Sequence, residues 1–162
     1  MTSLRTLTLV RHAQAGGGFC RDKDRPLTPA GEAQALELGR RLVGTITPQV
    51  IVHSSAKRTT QTAKALAHVL KVADLRSDEG LYTDWVDDII ALIREFDDEW
   101  SDVAIVGHQP TIGETAWELT HDDATGPVAT ATALVLAVDG PWSEVAAGTC
   151  RLVAREHADP AR

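Results

Sequence analysis

The sequence predicts an α/β fold: a single-domain, three-layer sandwich with a mostly parallel central sheet and helices on both faces. Two observations carry this expectation. Strand-like and helix-like apolar periodicities alternate from one end of the chain to the other, and no repeat, low-complexity segment or linker divides them. The 162 residues also suit one domain, a length that buries about two thirds of the surface its unfolded chain would expose. The expected domain spans 1–162, with roughly 156–162 as a frayed tail.

The elements follow in order. Leu7 to Val10 reads as a strand and runs into the loop "RHAQAGGGFCRDKDRPL". Thr28 is placed to cap a helix with Pro29 at its first position, and Ala35, Leu38, Gly39 and Leu42 make its apolar stripe. "QVIVHSS" is a short β-branched run. Behind a Ser54/Ser55 cap, Ala63, Leu66, Ala67 and Leu70 recur at helical spacing, so Arg58 falls in the first turn. A crossover helix is expected from Asp84 to Phe96, with Val86, Ile89, Ile90 and Ile93 on its buried face. Val103 to Val106 is the next strand; His108 lies in the short loop after it, and Thr111 and Glu114 are spaced as a capping box. "ATATALVLAVDG" and "GTCRLVARE" read as two further strands, with turn chemistry at Asp139-Gly140.

Composition narrows the function classes. Hydrophobic residues make up 43% and charged ones 24%, and no apolar run approaches the ~20 residues of a membrane span. The opening "MTSLRTLTLVRH" lacks the features of a secretory signal, so a cytoplasmic protein without membrane partners is expected. Cys20 and Cys150 are far apart and outside any CxxC spacing, which predicts two free thiols. A net charge of −7 argues against nucleic-acid binding, so any anion site must be assembled locally.

The strand ends supply that site. If the first three strands run parallel, Arg11, His12, Arg58 and His108 all fall just past strand C-termini, along the edge where open α/β sheets bind ligands. Guanidinium forks match phosphate oxygens, and helix N-termini add N–H donors. Neutral histidine offers a ring lone pair that can attack phosphorus, and a second histidine can stabilise the charge that develops.

The segments "LVRHAQA", "RPLTPAGEAQA", "HSSAKRTTQTA" and "VGHQPTIG" appear in order across about Leu7 to Val153. Together they resemble the histidine phosphatase superfamily, also called phosphoglycerate mutase-like, and within it the small bacterial phosphohistidine phosphatases that act on histidine phosphotransfer domains. The resemblance implies that His12 is the phosphorylated nucleophile, that Arg11 and Arg58 grip the phosphoryl group, and that His108 is the second pocket histidine. It implies no cofactor and no metal. The partner would be a phosphohistidine-carrying protein or a small phosphorylated metabolite.

Two positions depart from the pattern. Ala13 stands where many members have glycine. Thr83 stands where mutases and broad-range phosphatases carry a proton-donating glutamate; Glu79, Asp84 and Asp24 are the candidate substitutes. An imidazole leaves phosphohistidine with less need of an acid than an alkoxide leaves an ester, so the departure favours the phosphoramidate. A small-molecule phosphomonoesterase, a phosphoprotein-binding module without turnover and a metallophosphatase are the alternatives, and mutase activity ranks last. His53, His68, His121 and His157 are read as structural or surface residues, Gly16 to Gly18 as a loop rim, "DDEW" from Asp97 as a solvated helix end, and Trp85 and Trp117 as core anchors.

Overall fold

The apolar run at the start of the chain becomes an inner strand of a six-stranded sheet. The computed structural model describes residues 4–160. The main elements are β1 (Leu4–Arg11), α1 (Pro29–Leu42), β2 (Val50–His53), α2 (Lys57–Leu70), β3 (Asp74–Ser77), α3 (Val86–Arg94), β4 (Asp102–Gly107), α4 (Thr111–Thr120), β5 (Thr132–Asp139) and β6 (Cys150–His157). The sheet order is β3-β2-β4-β1-β5-β6. The pairings β2·β3, β2·β4 and β1·β4 are parallel, and β1·β5 and β5·β6 are antiparallel. The sheet is therefore mixed, with its parallel part holding the three strands that feed the candidate site.

Side-chain alternation divides the core between two faces. Leu7 and Leu9 of β1 pack on Ile89 and Ile93 of α3 and on Ile112 and Leu119 of α4. Val10 faces the opposite side, among Leu38 and Leu42 of α1 and Ala63 and Leu66 of α2. These two layers of helices close the sandwich. Among the described residues, no helix is long and apolar enough to cross a membrane.

Several local expectations change. β3 is an added element: four residues with only Leu75 apolar, a short charged edge strand that leaves little hydrophobic signal. The C-terminal tail is not frayed through 156–158. β6 pairs as far as His157↔Thr132, and Ala158 is fully buried with its N–H on the Ala131 carbonyl. Residues 161 and 162 of that expected tail, like Met1 to Ser3 of the N-terminal reading, lie outside the described residues. Trp85 and Trp117 are not core anchors; they are 72% and 46% exposed, and Trp142 is the fully buried tryptophan. Cys20 is exposed, Cys150 is buried, and both are free.

Capping follows expectation at α1 alone. Thr28 accepts from Gly31 N–H at 2.9 Å. At α2 the N-cap is Ala56, with no side-chain cap, because the helix begins past the two serines; the Ser54 hydroxyl accepts from Ala56 N–H and from His108. At α4 the Thr111 hydroxyl donates to the Thr83 carbonyl, and Gln109 Oε1 instead accepts from Gly113 N–H at 2.7 Å.

The capped start of α1 also braces the loop after β1. A Cβ on Gly31 would sit 2.0 Å from the Gln14 carbonyl oxygen, so only glycine lets the helix come this close. Gln34 of the same helix accepts from Gln14 N–H and donates to the Ala158 carbonyl. We expect Gly31→Ala to destabilise the protein by at least the ~1–3 kcal/mol typical of overpacking, because the contact is with backbone that cannot rotate away. Gly17→Ala, with nothing within 4 Å of the new Cβ, should stay within about 0.5 kcal/mol of wild type. Urea unfolding of both variants checks the pair; equal stabilities would contradict the close-packing account.

Candidate active site

Register brings the two histidines together. β1 and β4 are adjacent and parallel with Arg11 opposite Gly107, so His12 and His108 are the first residues beyond the same end of neighbouring strands. His12 N–H extends the ladder to the Gly107 carbonyl at 3.1 Å, and the two imidazole rings meet edge to face at 5.5 Å between centroids. β2 ends beside β4, and the loop after it leads into α2, whose second residue is Arg58.

His12 is nearly enclosed, 7% exposed. Its Nδ1 lies 2.7 Å from the Ala13 carbonyl oxygen. A carbonyl only accepts, so Nδ1 carries the proton and Nε2 keeps the lone pair. The chain just beyond is fastened at several points: Ala13 N–H donates to the Thr62 hydroxyl at 3.0 Å, and the His12 carbonyl accepts from Ala131 N–H. Burial lowers the His12 pKa to about 4, and the positive charges of Arg58, Arg11 and Arg25 add to the effect.

His108 is neutral for similar reasons. Burial first, then Arg58, lowers its pKa to about 3. Arg58 Nη2 donates to His108 Nδ1 at 3.2 Å. The proton therefore sits on Nε2, which donates to the Ser54 hydroxyl at 2.8 Å. Ser54 is fully buried and fixes both the tautomer and the orientation of the ring.

Arg58 is 5% exposed. Its Nη1 donates to the Asp22 carbonyl at 2.8 Å and its Nη2 to the Asp22 carboxylate at 3.1 Å. Tyr82 OH donates to the same carboxylate oxygen, and the hydrogen bonds from Tyr82 and then Arg58 hold the Asp22 carboxyl below its ordinary range. Arg11 donates through Nη1 to the Val128 carbonyl at 2.9 Å. Both arginines keep a buried Nε–H without a partner among the described residues. Two uncompensated buried donors beside a neutral imidazole are complementary to an incoming anion.

A cavity of about 200 Å³ opens beside this cluster, with Asp22, Arg58, Tyr82, Thr83, Asp84, His108 and Gln109 in its wall; Arg11 and His12 lie behind that lining. Thr83 donates its hydroxyl to the Asp88 carboxylate at 2.5 Å. Of the three candidate acids, Asp84 lines this cavity, whereas Glu79 and Asp24 do not. They form ion pairs with Lys23 and Arg21 at the surface. Asp22, Tyr82, Arg25 and Ser54 are site residues that sequence reasoning missed. Ser54 was legible only as a helix cap, and Asp22 and Arg25 stand in a charged loop without periodicity. His53 is buried and gives its Nδ1 proton to the Ser54 carbonyl, away from the cavity; His68 and His121 are exposed; and His157 is held in β6 by Thr132 and Asp159. Gly17 and Gly18 lie on the exposed rim, and no metal-holding cluster of three or more His, Cys, Asp or Glu occurs among the described residues.

Comparison with known proteins agrees with this architecture. An uncharacterized protein of Mycobacterium leprae is 32% identical over 160 residues, which is 90% of this chain and 97% of that protein. A structure from Nakamurella multipartitia, named "Putative Phosphohistidine Phosphatase SixA", superposes with a TM-score of 0.88 at 36% identity, covering 96% of this chain and 97% of that one. A second, named "putative phosphohistidine phosphatase SixA", from Agrobacterium tumefaciens, gives 0.82 at 25% identity over 94% and 97%. The model of the histidine phosphatase superfamily (branch 1) matches residues 7–119, the span that carries Arg11, His12, Arg58 and His108. The chain belongs to the histidine phosphatase superfamily.

Proposed function

We propose that the protein removes the phosphoryl group from phosphohistidine in a protein partner, with His12 as the covalent nucleophile and without a metal ion. His12 Nε2 attacks phosphorus, forming a new P–N bond as the P–N bond of the substrate breaks; the departing imidazole takes a proton. Water then attacks the phosphohistidine at His12, releases inorganic phosphate and restores the free ring. Arg11 and Arg58 hold the phosphoryl oxygens and meet the charge that spreads over them, and His108, whose Nδ1 accepts from Arg58 Nη2, positions that guanidinium.

The observation that carries the choice of substrate is the wall at Thr83. Ester-cleaving members of the family keep a glutamate there, and here the hydroxyl is occupied by Asp88. Asp22 is held ionised by Tyr82 and Arg58, which makes it a poor proton donor. Asp84 is the remaining carboxyl in the wall. A weakly equipped acid side suits an imidazole leaving group better than an alkoxide. The names of the Nakamurella and Agrobacterium relatives point the same way.

Three predictions follow from these roles. Rapid-quench labelling should trap an acid-labile, alkali-stable phosphoenzyme in wild type and none in His12→Ala; label retained in the variant would mean another nucleophile. kcat/KM on a phosphohistidine protein should exceed that on sugar phosphates at least about tenfold, since loss of a general acid costs ~10²–10⁴ on demanding leaving groups. Thr83→Glu should narrow the gap, and a wild type faster on a sugar phosphate would give first place to a small-molecule phosphomonoesterase.

The third concerns pH. His12 and His108 have native pKa values of about 4 and about 3, below the unfolded value of about 6.5. Above pH ~6.5 both are neutral in either state, and their contribution to stability is complete. As pH falls, the unfolded chain takes up protons that the native site refuses. Stability is therefore lost from about 6.5 down through the native values, by up to about 1.4 kcal/mol per pH unit for each histidine. Denaturant unfolding between pH 7 and 4 should show a shallower slope in His12→Gln than in wild type; identical slopes would place the charged form of His12 in the folded protein.

A further inference from the structure

We infer that the cleft between α3 and α4 is a docking groove for a basic segment of the phosphoprotein substrate. The inference rests on the phosphohistidine reading and adds which protein surface is recognised. The cleft encloses about 610 Å³ and continues from the catalytic cavity, because Gln109 lines both. Pro110 and the half-exposed indole of Trp117 supply its apolar surface, and Asp87, Glu114 and Glu118 supply its charge.

Two exposed tryptophans stand beside the site, and apolar surface gathered in this way at a cleft is what marks an interaction site. Trp117 looks into the cleft. Trp85, 72% exposed, stands between Asp84 of the catalytic cavity and Val86 of the cleft. Large aromatic side chains left in water at the mouth of a site are what protein interfaces bury most favourably.

The charges favour one kind of occupant. No cation lines the cleft, and none of its three carboxylates forms an ion pair among the described residues. Arg155, which approaches Gly126 on the cleft wall, is already engaged by the carbonyls of Thr125 and Pro127. Helix dipoles account for Asp87 and Glu114, each in a first turn. They do not account for Glu118, which sits in the last turn of α4 at the negative end of its dipole. An arginine or lysine from the partner would neutralise these carboxylates and stack on the Trp117 face. A small phosphorylated metabolite fills the 200 Å³ cavity and has no use for the cleft beyond it.

The test uses two synthetic phosphohistidine peptides of equal length, one with arginines flanking the phosphohistidine and one with glutamates, together with an aryl phosphate. At low ionic strength the arginine peptide should have kcat/KM on the order of tenfold higher, mainly through KM. Added salt should shrink the difference. The combined variant Asp87→Asn, Glu114→Gln, Glu118→Gln should abolish the preference while hydrolysing the aryl phosphate at the wild-type rate; Trp117→Ala should raise KM for the arginine peptide alone. Equal turnover of the two peptides by wild type, or a preference that survives the triple variant, overturns the docking groove. If wild type cleaves the aryl phosphate and neither peptide, the phosphohistidine reading fails and the groove fails with it.

Discussion

The pairing of β1 with β4 is the constraint on which the site depends. Because the two strands are parallel and in register up to Arg11↔Gly107, one residue more of each places an imidazole at the same height. A slip of one residue would turn every side chain to the opposite face and separate His12 from His108. The apolar run of β1 is thus both half of the core and the mount for the site: Leu7 and Leu9 lock one face, Val10 locks the other, and the chain has no freedom left at Arg11. The close approach of α1 at Gly31 fixes the next residues from the other side. Rigidity of this kind lets a nucleophile act without first being ordered.

Electrostatics complete what register begins. A protein of net charge −7 holds Arg11, Arg25 and Arg58 close enough to act on a single buried histidine. Burial first, and then those guanidinium groups, keep His12 uncharged, and an uncharged ring has the lone pair a nucleophile needs. The same arrangement favours an anion, whose binding supplies the negative charge the cluster lacks. Asp22 supplies part of it from the rim, accepting from Arg58 and Tyr82 through one exposed loop residue. A phosphoryl group entering beside Arg58 therefore competes with a carboxylate that is solvated rather than buried, and displacing it carries a smaller desolvation cost than breaking a buried pair.

How much of this was legible in the sequence depends on the physical signal. Strands β1, β2 and β4 announce themselves because they are buried on both faces and read as continuous apolar runs. β3 does not, since Asp74, Arg76 and Ser77 suit an edge and resemble a loop. The four residues at the strand ends were readable from position and motif, whereas Asp22 and Tyr82 reach the site through loop geometry that no periodicity encodes. The tryptophans show the limit of composition: Trp85 and Trp117 have the hydrophobicity of core residues, and only the packing of Trp142 against Phe96 and beneath Arg5 shows which indole the core takes.

The caps failed for a more informative reason. At Thr28 the local rule holds, because its hydroxyl accepts from Gly31 N–H while donating to Gln14 Oε1, so the cap and its other contact are compatible. At Ser54 and at Thr111 the same residue types sit beside helix starts, yet their hydroxyls are used elsewhere, by His108 and by the carbonyl of Thr83. α2 begins without a side-chain cap, at a cost of about 1 kcal/mol by the usual scale, whereas at α4 Gln109 accepts from Gly113 N–H in place of Thr111. Both exceptions lie at the candidate site, and in both the hydroxyl holds a group that lines the cavity. Departures from local rules that cluster in this way mark where a sequence answers to chemistry rather than to folding. By that criterion the loop after β2 and the turn before α4 belong to the site as fully as the two histidines do.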